Sequence, residues 1–194
     1  MRIIAGTFRS LALEAPAGMA TRPTSDRLRE TLFNVLAPRL HGAIFLDLYA
    51  GSGAVGIEAL SRGVANVEFV ERAEPALRAL RANLARLGVT AGFRIHAASV
   101  AAVLRKMKPT ATFDVVFLDP PYDAADEYEK TLAWLGGAGA GLLSEGAVAV
   151  AEHRKKERLD ENYGALQRYR LLEQGDAGLS FYAVPAIDRR NVEE

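Results

Sequence analysis

Asp119-Pro120-Pro121-Tyr122 closes a short apolar run, Phe113-Asp114-Val115-Val116-Phe117-Leu118, and the two read together as a buried strand ending in a rigid polar loop tipped by an aromatic ring. Two consecutive prolines fix φ and remove two N–H donors, which leaves the Asp119 carboxylate and the Pro120 carbonyl as acceptors facing one small volume. Such a volume suits an NH2 group. Tyr122 adds a flat face on which a base can stack. Asp119, Pro120 and Tyr122 are therefore the catalytic candidates, and Pro121 and Tyr122 are candidate substrate contacts. The plain alternative is a proline turn that only ends a strand.

A second cluster begins at residue 44, where Ile44-Phe45-Leu46-Asp47-Leu48 runs into Tyr49-Ala50-Gly51-Ser52-Gly53-Ala54-Val55-Gly56 and then the helical Ile57-Glu58-Ala59-Leu60. Without side chains at Gly51 and Gly53, backbone amides and the positive end of the following helix can approach a polar or anionic ligand closely. The next apolar run ends at Glu71, twenty residues after Gly51, where a carboxylate can accept both hydroxyls of a ribose. This spacing points to a cofactor that contains a nucleoside. Gly51-x-Gly53-x-x-Gly56 also satisfies the dinucleotide fingerprint, so a nicotinamide dehydrogenase is a rival. Asp47, four residues ahead of Gly51, favours S-adenosylmethionine, because its carboxylate can help hold a methionine ammonium group. A dehydrogenase also has no general use for the Asp119 loop. The candidate cofactor contacts are Asp47, Tyr49, Gly51, Ser52, Gly53, Glu71, Arg72 and Asp119, with Tyr49 either covering the cofactor or packing behind the turn.

The elements that must hold these residues follow from periodicity. Residues 2–14 alternate around Gly6 and Thr7 as a β-hairpin too short to be stable alone. Thr21 to Asp26 offers N-cap oxygens ahead of Leu28, Leu32, Phe33, Val35 and Leu36 at helical spacing, which predicts a helix over 25–37. From residue 44 apolar runs at 44–48, 66–70, 93–96, 113–118 and 147–151 alternate with helical segments, the signature of a parallel sheet. Strands at 169–172 and 179–184, joined by a glycine-containing turn, append a hairpin. Gly136 to Gly141 reads as a flexible connection.

Composition bounds the function classes. The 194 residues are 49% hydrophobic and 25% charged, enough apolar material for one globular domain with a sizeable core. Cysteine is absent and the three histidines are far apart in sequence, so no metal site is expected. No apolar run approaches a bilayer span and the N-terminus lacks signal architecture, so the expected location is the cytoplasm, away from membranes. A formal charge of zero argues against a generally cationic coat for nucleic acid, so local patches must carry phosphate binding. Arg9, Arg27, Arg29, Arg39, the 105–108 run and the 154–158 run are the cations available, with Arg27 and Arg29 nearest the expected cleft.

Asp47-Leu48-Tyr49-Ala50-Gly51-Ser52-Gly53, Glu71 and Asp119-Pro120-Pro121-Tyr122 together resemble the S-adenosylmethionine-dependent amino-methyltransferases. Arg2-Ile3-Ile4-Ala5-Gly6, the segment from Arg22 to Asn34, and Gly56-Ile57-Glu58-Ala59-Leu60-Ser61-Arg62-Gly63 narrow the likeness to the RsmD family, which methylates N2 of a guanine in 16S ribosomal RNA. The resemblance covers nearly the whole chain. It implies an α/β, Rossmann-like class I methyltransferase whose seven-stranded, mostly parallel sheet has the order 3-2-1-4-5-7-6. Residues 1–20 would form an N-terminal β-hairpin extension, 21–187 the methyltransferase domain and 188–194 a disordered tail. It further implies that Arg22, Pro23 and Thr24 border the methionine end of the cofactor, that Gly51 to Gly53 underlie it, and that Glu71 binds ribose. Where many methyltransferases carry an acid after the third strand for the adenine amino group, this chain has Ala97-Ala98-Ser99-Val100, leaving Ser99 or the backbone of Ala98 or Val100. The implied partner is 16S rRNA, at guanine(966), within a partly assembled small subunit, and the implied state is a monomer.

An exocyclic base amine is a poor nucleophile because its lone pair is delocalised, whereas a sulfonium methyl is already activated. The residues need mainly to align the two, with Asp119 and the Pro120 carbonyl accepting the amine protons and Tyr122 stacking on the base. Two alternatives share parts of this pattern: DNA adenine-N6 methylation, which a chain this short leaves little room to target, and a non-catalytic RNA-binding assembly factor, which would not need Asp119.

Overall fold

The computed structural model describes residues 1–16, 25–108, 112–121 and 124–185. The first helix, α1 (Asp26–Leu36), starts where Ser25 Oγ accepts from Leu28 N at 3.1 Å, an N-cap that satisfies one of the open amides of the first turn. At 11 residues it is too short to persist alone in water, so burial of Leu28, Leu32, Phe33 and Leu36 holds it, each worth roughly 1.5–3 kcal/mol relative to exposure.

Alternation of strand and helix follows: β1 (Ile44–Leu48), α2 (Ala54–Ser61), β2 (Asn66–Glu71), α3 (Glu74–Arg86), β3 (Phe93–Ala97), α4 (Val100–Leu104), β4 (Phe113–Leu118), α5 (Asp126–Leu135) and β5 (Leu143–Arg154). The chain ends in β6 (Asn162–Tyr163), β7 (Leu166–Gln174) and β8 (Ala177–Ala183). The sheet order is β3-β2-β1-β4-β5-β8-β7-β6, parallel from β3 to β5 and antiparallel thereafter. This is the expected Rossmann-like order with one addition: β6, a two-residue strand on the outer edge of β7, makes eight strands where seven were expected.

Side chains alternate across the strands, so each strand feeds two cores. Phe45, Val67, Phe69, Val115, Phe117, Val148 and Val150 meet α1, α2 and α3 on one face. Leu46, Leu48, Val70, Val116, Leu118, Ala149 and Ala151 meet α4 and α5 on the other. This parity decides which way every residue at the strand ends points.

The N-terminal extension is tied down without becoming a strand pair. Residues 1–13 fold back through Ile3 N to Leu11 O (2.9 Å), Ser10 N to Ile3 O (2.8 Å) and a single bridge between Arg2 and Ala12. The expected hairpin ladder fails to extend because its donors go to α2 instead. Ile4 N and Ala5 N donate to Glu58 (2.7 and 3.0 Å), Phe8 N to Ser61 Oγ (3.0 Å), and Thr7 N to Ser61 O (2.8 Å). Gly136 to Gly141 differs from expectation too. It is a packed turn: a Cβ at Gly136 would fall 1.7 Å from Tyr163 O, and one at Gly139 would fall 2.1 Å from the Trp134 ring.

Candidate active site

The glycine loop is shaped before any ligand is considered. Tyr49, Gly51 and Gly53 all have positive φ (62°, 57° and 80°), a conformation glycine adopts freely and tyrosine holds only when its surroundings impose it. Those surroundings lie on α5: Tyr49 Oη donates to Glu127 Oε2 at 2.8 Å and lies 3.2 Å from Thr131 Oγ1. Burial, then the Glu127 carboxylate, pushes the Tyr49 hydroxyl above the ordinary tyrosine range, opposed by the Thr131 hydrogen bond and the Arg72 charge. Tyr49 thus ties the end of β1 to the helix that follows the Asp119 loop, which favours packing behind the turn. Beneath the loop, Gly56 lets α2 approach the sheet, since a Cβ there would fall 2.3 Å from Phe69 and 2.9 Å from Asp47 Oδ2.

Strand register gathers the acids. Asp47 is level with Phe69, Phe117 and Val150 on neighbouring strands. Two steps beyond Phe69 is Glu71. Two steps beyond Phe117 and Val150 are Asp119 and Glu152, adjacent because Leu118 pairs with Ala151. By strand parity all four face the α1–α2–α3 side, so four neighbouring strands each end in a carboxylate on one face at the carboxyl edge.

For Asp47 and Asp119 the surroundings raise proton affinity. Asp47 is 1% exposed and accepts from Gly56 N at 2.9 Å. Burial pushes its carboxyl up to about 7, with the Gly56 bond opposing and the Glu71 charge assisting. Asp119, half-buried at the end of β4, is pushed well above the usual carboxylate range by desolvation, then by the charges of Glu152 and Asp47. Glu71 is spoken for by backbone: Oε2 accepts from Gly51 N (2.9 Å), and Oε1 accepts from Arg72 N and Ala73 N (2.7 Å each). It therefore clamps the glycine loop to the start of α3, leaving only part of its lone-pair capacity for a ribose.

Ser52 is buried and its carbonyl accepts from Asn83 Nδ2 at 3.0 Å; Asn83, 0% exposed, also bonds both backbone groups of Glu14. This link between the N-terminal arm, α3 and the glycine loop carries no motif of its own in the sequence. Ser99 sits at the start of α4 without capping it through its side chain. Arg72 is exposed at the end of β2, Pro120 is buried and Pro121 exposed. Arg22, Pro23, Thr24 and Tyr122 lie outside the described residues.

The two nominated α1 cations separate. Arg27 is exposed and lines a cleft of about 440 Å³ with Arg2, Arg9, Asp26 and Glu30. Arg29, expected to meet substrate, is instead 0% exposed: it pairs with Asp26 at 3.0 Å and Glu58 at 3.8 Å and donates to Arg2 O. It is part of the joint between arm and helix, since the amphipathic spacing of α1 turns position 29 inward. Arg39 donates to Gly146 O at 2.7 Å, and Lys155 pairs with Glu173 at 2.9 Å. Among the described residues no cluster of metal-ligating side chains occurs, and no helix is long and apolar enough to cross a membrane.

Residues 1–183 match the family described as Conserved hypothetical protein 95. The putative rRNA methyltransferase YlbH of Bacillus subtilis is 35% identical over 192 residues, covering 94% of this chain and 98% of its own length. Ribosomal RNA small subunit methyltransferase D of Escherichia coli is 40% identical over 122 residues, which is 63% of this chain and 60% of that one. Among solved structures, a putative methyltransferase, yhhF, from Escherichia coli superposes with a TM-score of 0.82 at 32% identity, covering 94% of this chain and 96% of its own.

Proposed function

Since the chain belongs to the Conserved hypothetical protein 95 family, the RsmD family, we propose that it transfers a methyl group from S-adenosylmethionine to the exocyclic N2 amine of a guanine in 16S rRNA. The observation that carries the reading is the acidic edge formed by Asp47, Glu71, Asp119 and Glu152 beside a glycine loop open at Gly51. A donor bearing a sulfonium and an ammonium charge fits an edge of four acids, two of which, Asp47 and Asp119, are held above the usual carboxylate range. The pyrophosphate of a nicotinamide dinucleotide would meet the same edge with charge of the wrong sign.

When bound, the donor supplies an activated methyl group on a positively charged sulfur. The chain's own residues do the rest. Glu71 holds the ribose at the nucleoside end, the Gly51 to Gly53 loop that it clamps underlies the methionine end, and Asp47, beneath the loop, contributes charge there. Asp119, with the Pro120 carbonyl, accepts the amine hydrogens, orients the nitrogen lone pair and takes charge off nitrogen as the new bond forms. Tyr122 stacks on the base, an interaction worth roughly 1–3 kcal/mol and comparable with the cost of drawing out an already unpaired nucleotide. The relatives' names support a ribosomal RNA substrate; guanine(966) in a partly assembled small subunit is the position we propose.

Incubating the protein and labelled donor with naked 16S RNA, small-subunit particles and duplex DNA tests the reading. Label on N2 of a single guanine in RNA is expected. Label in DNA alone overturns the substrate, and donor binding without transfer to any of the three leaves a non-catalytic RNA-binding role instead.

A further inference from the structure

Glu152 lies near the end of β5, is 6% exposed, and sits beside Asp119 one residue past the Leu118–Ala151 pair, at about one strand spacing, ~4.8 Å between backbones. The strand end that carries it is held from the opposite face. Tyr128 Oη donates to Glu152 O at 2.8 Å. The His153 ring lies between Arg154 O and Ser180 Oγ, at 2.9 Å each, with its edge toward Tyr128. Because Nδ1 faces a carbonyl it donates, so Nε2 accepts from Ser180 and the ring is neutral, in keeping with the lowering of His153 by burial. Tyr128 and His153, on the far face of the sheet, thus fix the position of one buried acid beside Asp119.

We infer that Glu152 is the proton partner of Asp119, a positioning residue for methyl transfer: the two carboxyls hold one proton between them and together take up the proton that the methylated amine releases. The inference rests on Asp119 facing that amine. As nitrogen gives its lone pair to the methyl carbon, the carbon–sulfur pair stays on sulfur. One N–H pair returns to nitrogen and that proton passes to the Asp119 carboxylate. The acid so formed shares it with Glu152 until it is lost to water, and nothing is oxidised or reduced. Two acids on adjacent buried strand ends disfavour ionising together, and the Glu152 charge makes Asp119 a better proton acceptor. Among the described residues the ionisable groups around the pair include Asp47 of β1 with Glu71 of β2 behind it, Tyr128 of α5 and His153 on the far face. On the covering helices Arg29 and Glu58 are paired with each other.

The test compares Glu152→Gln and Glu152→Asp with the parent. In single turnovers at saturating donor and RNA, Glu152→Gln should lower the plateau rate roughly tenfold or more and move the acid limb of the pH profile to lower pH, with the KM for RNA unchanged. Glu152→Asp should restore both. Separately, calorimetry with sinefungin, an unreactive donor analogue carrying an amine in place of the sulfonium methyl, in two buffers of different ionisation enthalpy at pH 7 should show fewer protons released by Glu152→Gln than by the parent. Unchanged proton release together with an unmoved acid limb overturns the inference, as does an equal loss in both variants accompanied by a raised KM for RNA. Should none of the proteins methylate 16S RNA, the proposed substrate fails while the calorimetry still decides whether the two carboxyls are coupled.

Discussion

Asp119 and Glu71 both end strands in the acidic edge, yet their surroundings assign them different failures. Glu71 accepts three backbone amides, so Glu71→Ala strands donors at the loop and at the start of α3. It should lower thermal stability by roughly 1–3 kcal/mol and weaken donor binding, both measurable in one thermal-shift titration. Among the described residues no backbone amide donates to the Asp119 side chain. Asp119→Ala should keep the parent's donor affinity within a few-fold and lose transfer; retention of full transfer would remove its assigned role. Asp47 adds a third pattern, because it is buried, charged in part, and bonded to the Gly56 amide, which an asparagine oxygen can also accept from. Its carboxyl is held at about 7 against an ordinary 3.8, so the folded state keeps a proton that the unfolded state has lost. The stability it confers is present below about pH 4 and declines as pH rises to about 7, by a few kcal/mol in sum. Urea midpoints at pH 5 and pH 8 should therefore differ in the parent and converge in Asp47→Asn, with the variant the more stable at pH 8 and the poorer donor binder.

The joint between the N-terminal arm and α2 depends on Glu58, which is 0% exposed and accepts from Ile4 N, Ala5 N and Arg62 Nε, with Arg29 alongside. Removing one side of such a buried set leaves the other charge unpaired, at a cost of about 3–5 kcal/mol. Glu58→Ala should undock the arm, and amide exchange at residues 3–8 should quicken while β1 and β4 stay protected. The strand and helix elements of this region were legible from periodicity: α1, β1, β2, β3 and β4 stand within a residue or two of their expected bounds. The arm was not, since a pattern of alternation says nothing about whether donors will pair across a hairpin or go to a neighbouring helix. β5 runs from Leu143 to Arg154 where the apolar run marked only 147–151, because Gly146 and the polar pair Glu152-His153 interrupt the apolar pattern at either end. That misreading hid Glu152. Counting parity back from Val150 would have placed it beside Asp119, whereas Arg29 needed the helix phase to show that it points inward. Asn83 and the Tyr49 link to α5 had no local signal, because each joins segments distant in sequence.

Across the whole molecule the carboxyl edge behaves as a reservoir of protons that a cationic ligand displaces. Asp47 near 7 means that the ligand-free protein is partly protonated there at neutral pH, and Asp119, raised above its ordinary range, binds a proton more strongly than an exposed carboxylate; neither would keep its proton as well beside a sulfonium. Binding of S-adenosylmethionine should accordingly release protons and tighten as pH rises from 6 to 8. The sign follows from linkage: a ligand that prefers the ionised form binds better where that form costs less to make. S-adenosylhomocysteine, which has lost the sulfonium charge but kept the ammonium, should release fewer protons and show a shallower pH dependence. The ratio of product to donor dissociation constants should thus grow between pH 6 and pH 8, so that loss of the charge on sulfur itself favours departure of the product. Calorimetric titration of both ligands at three pH values measures this directly. Equal pH slopes for the two would mean that the acidic edge does not sense the charge on sulfur.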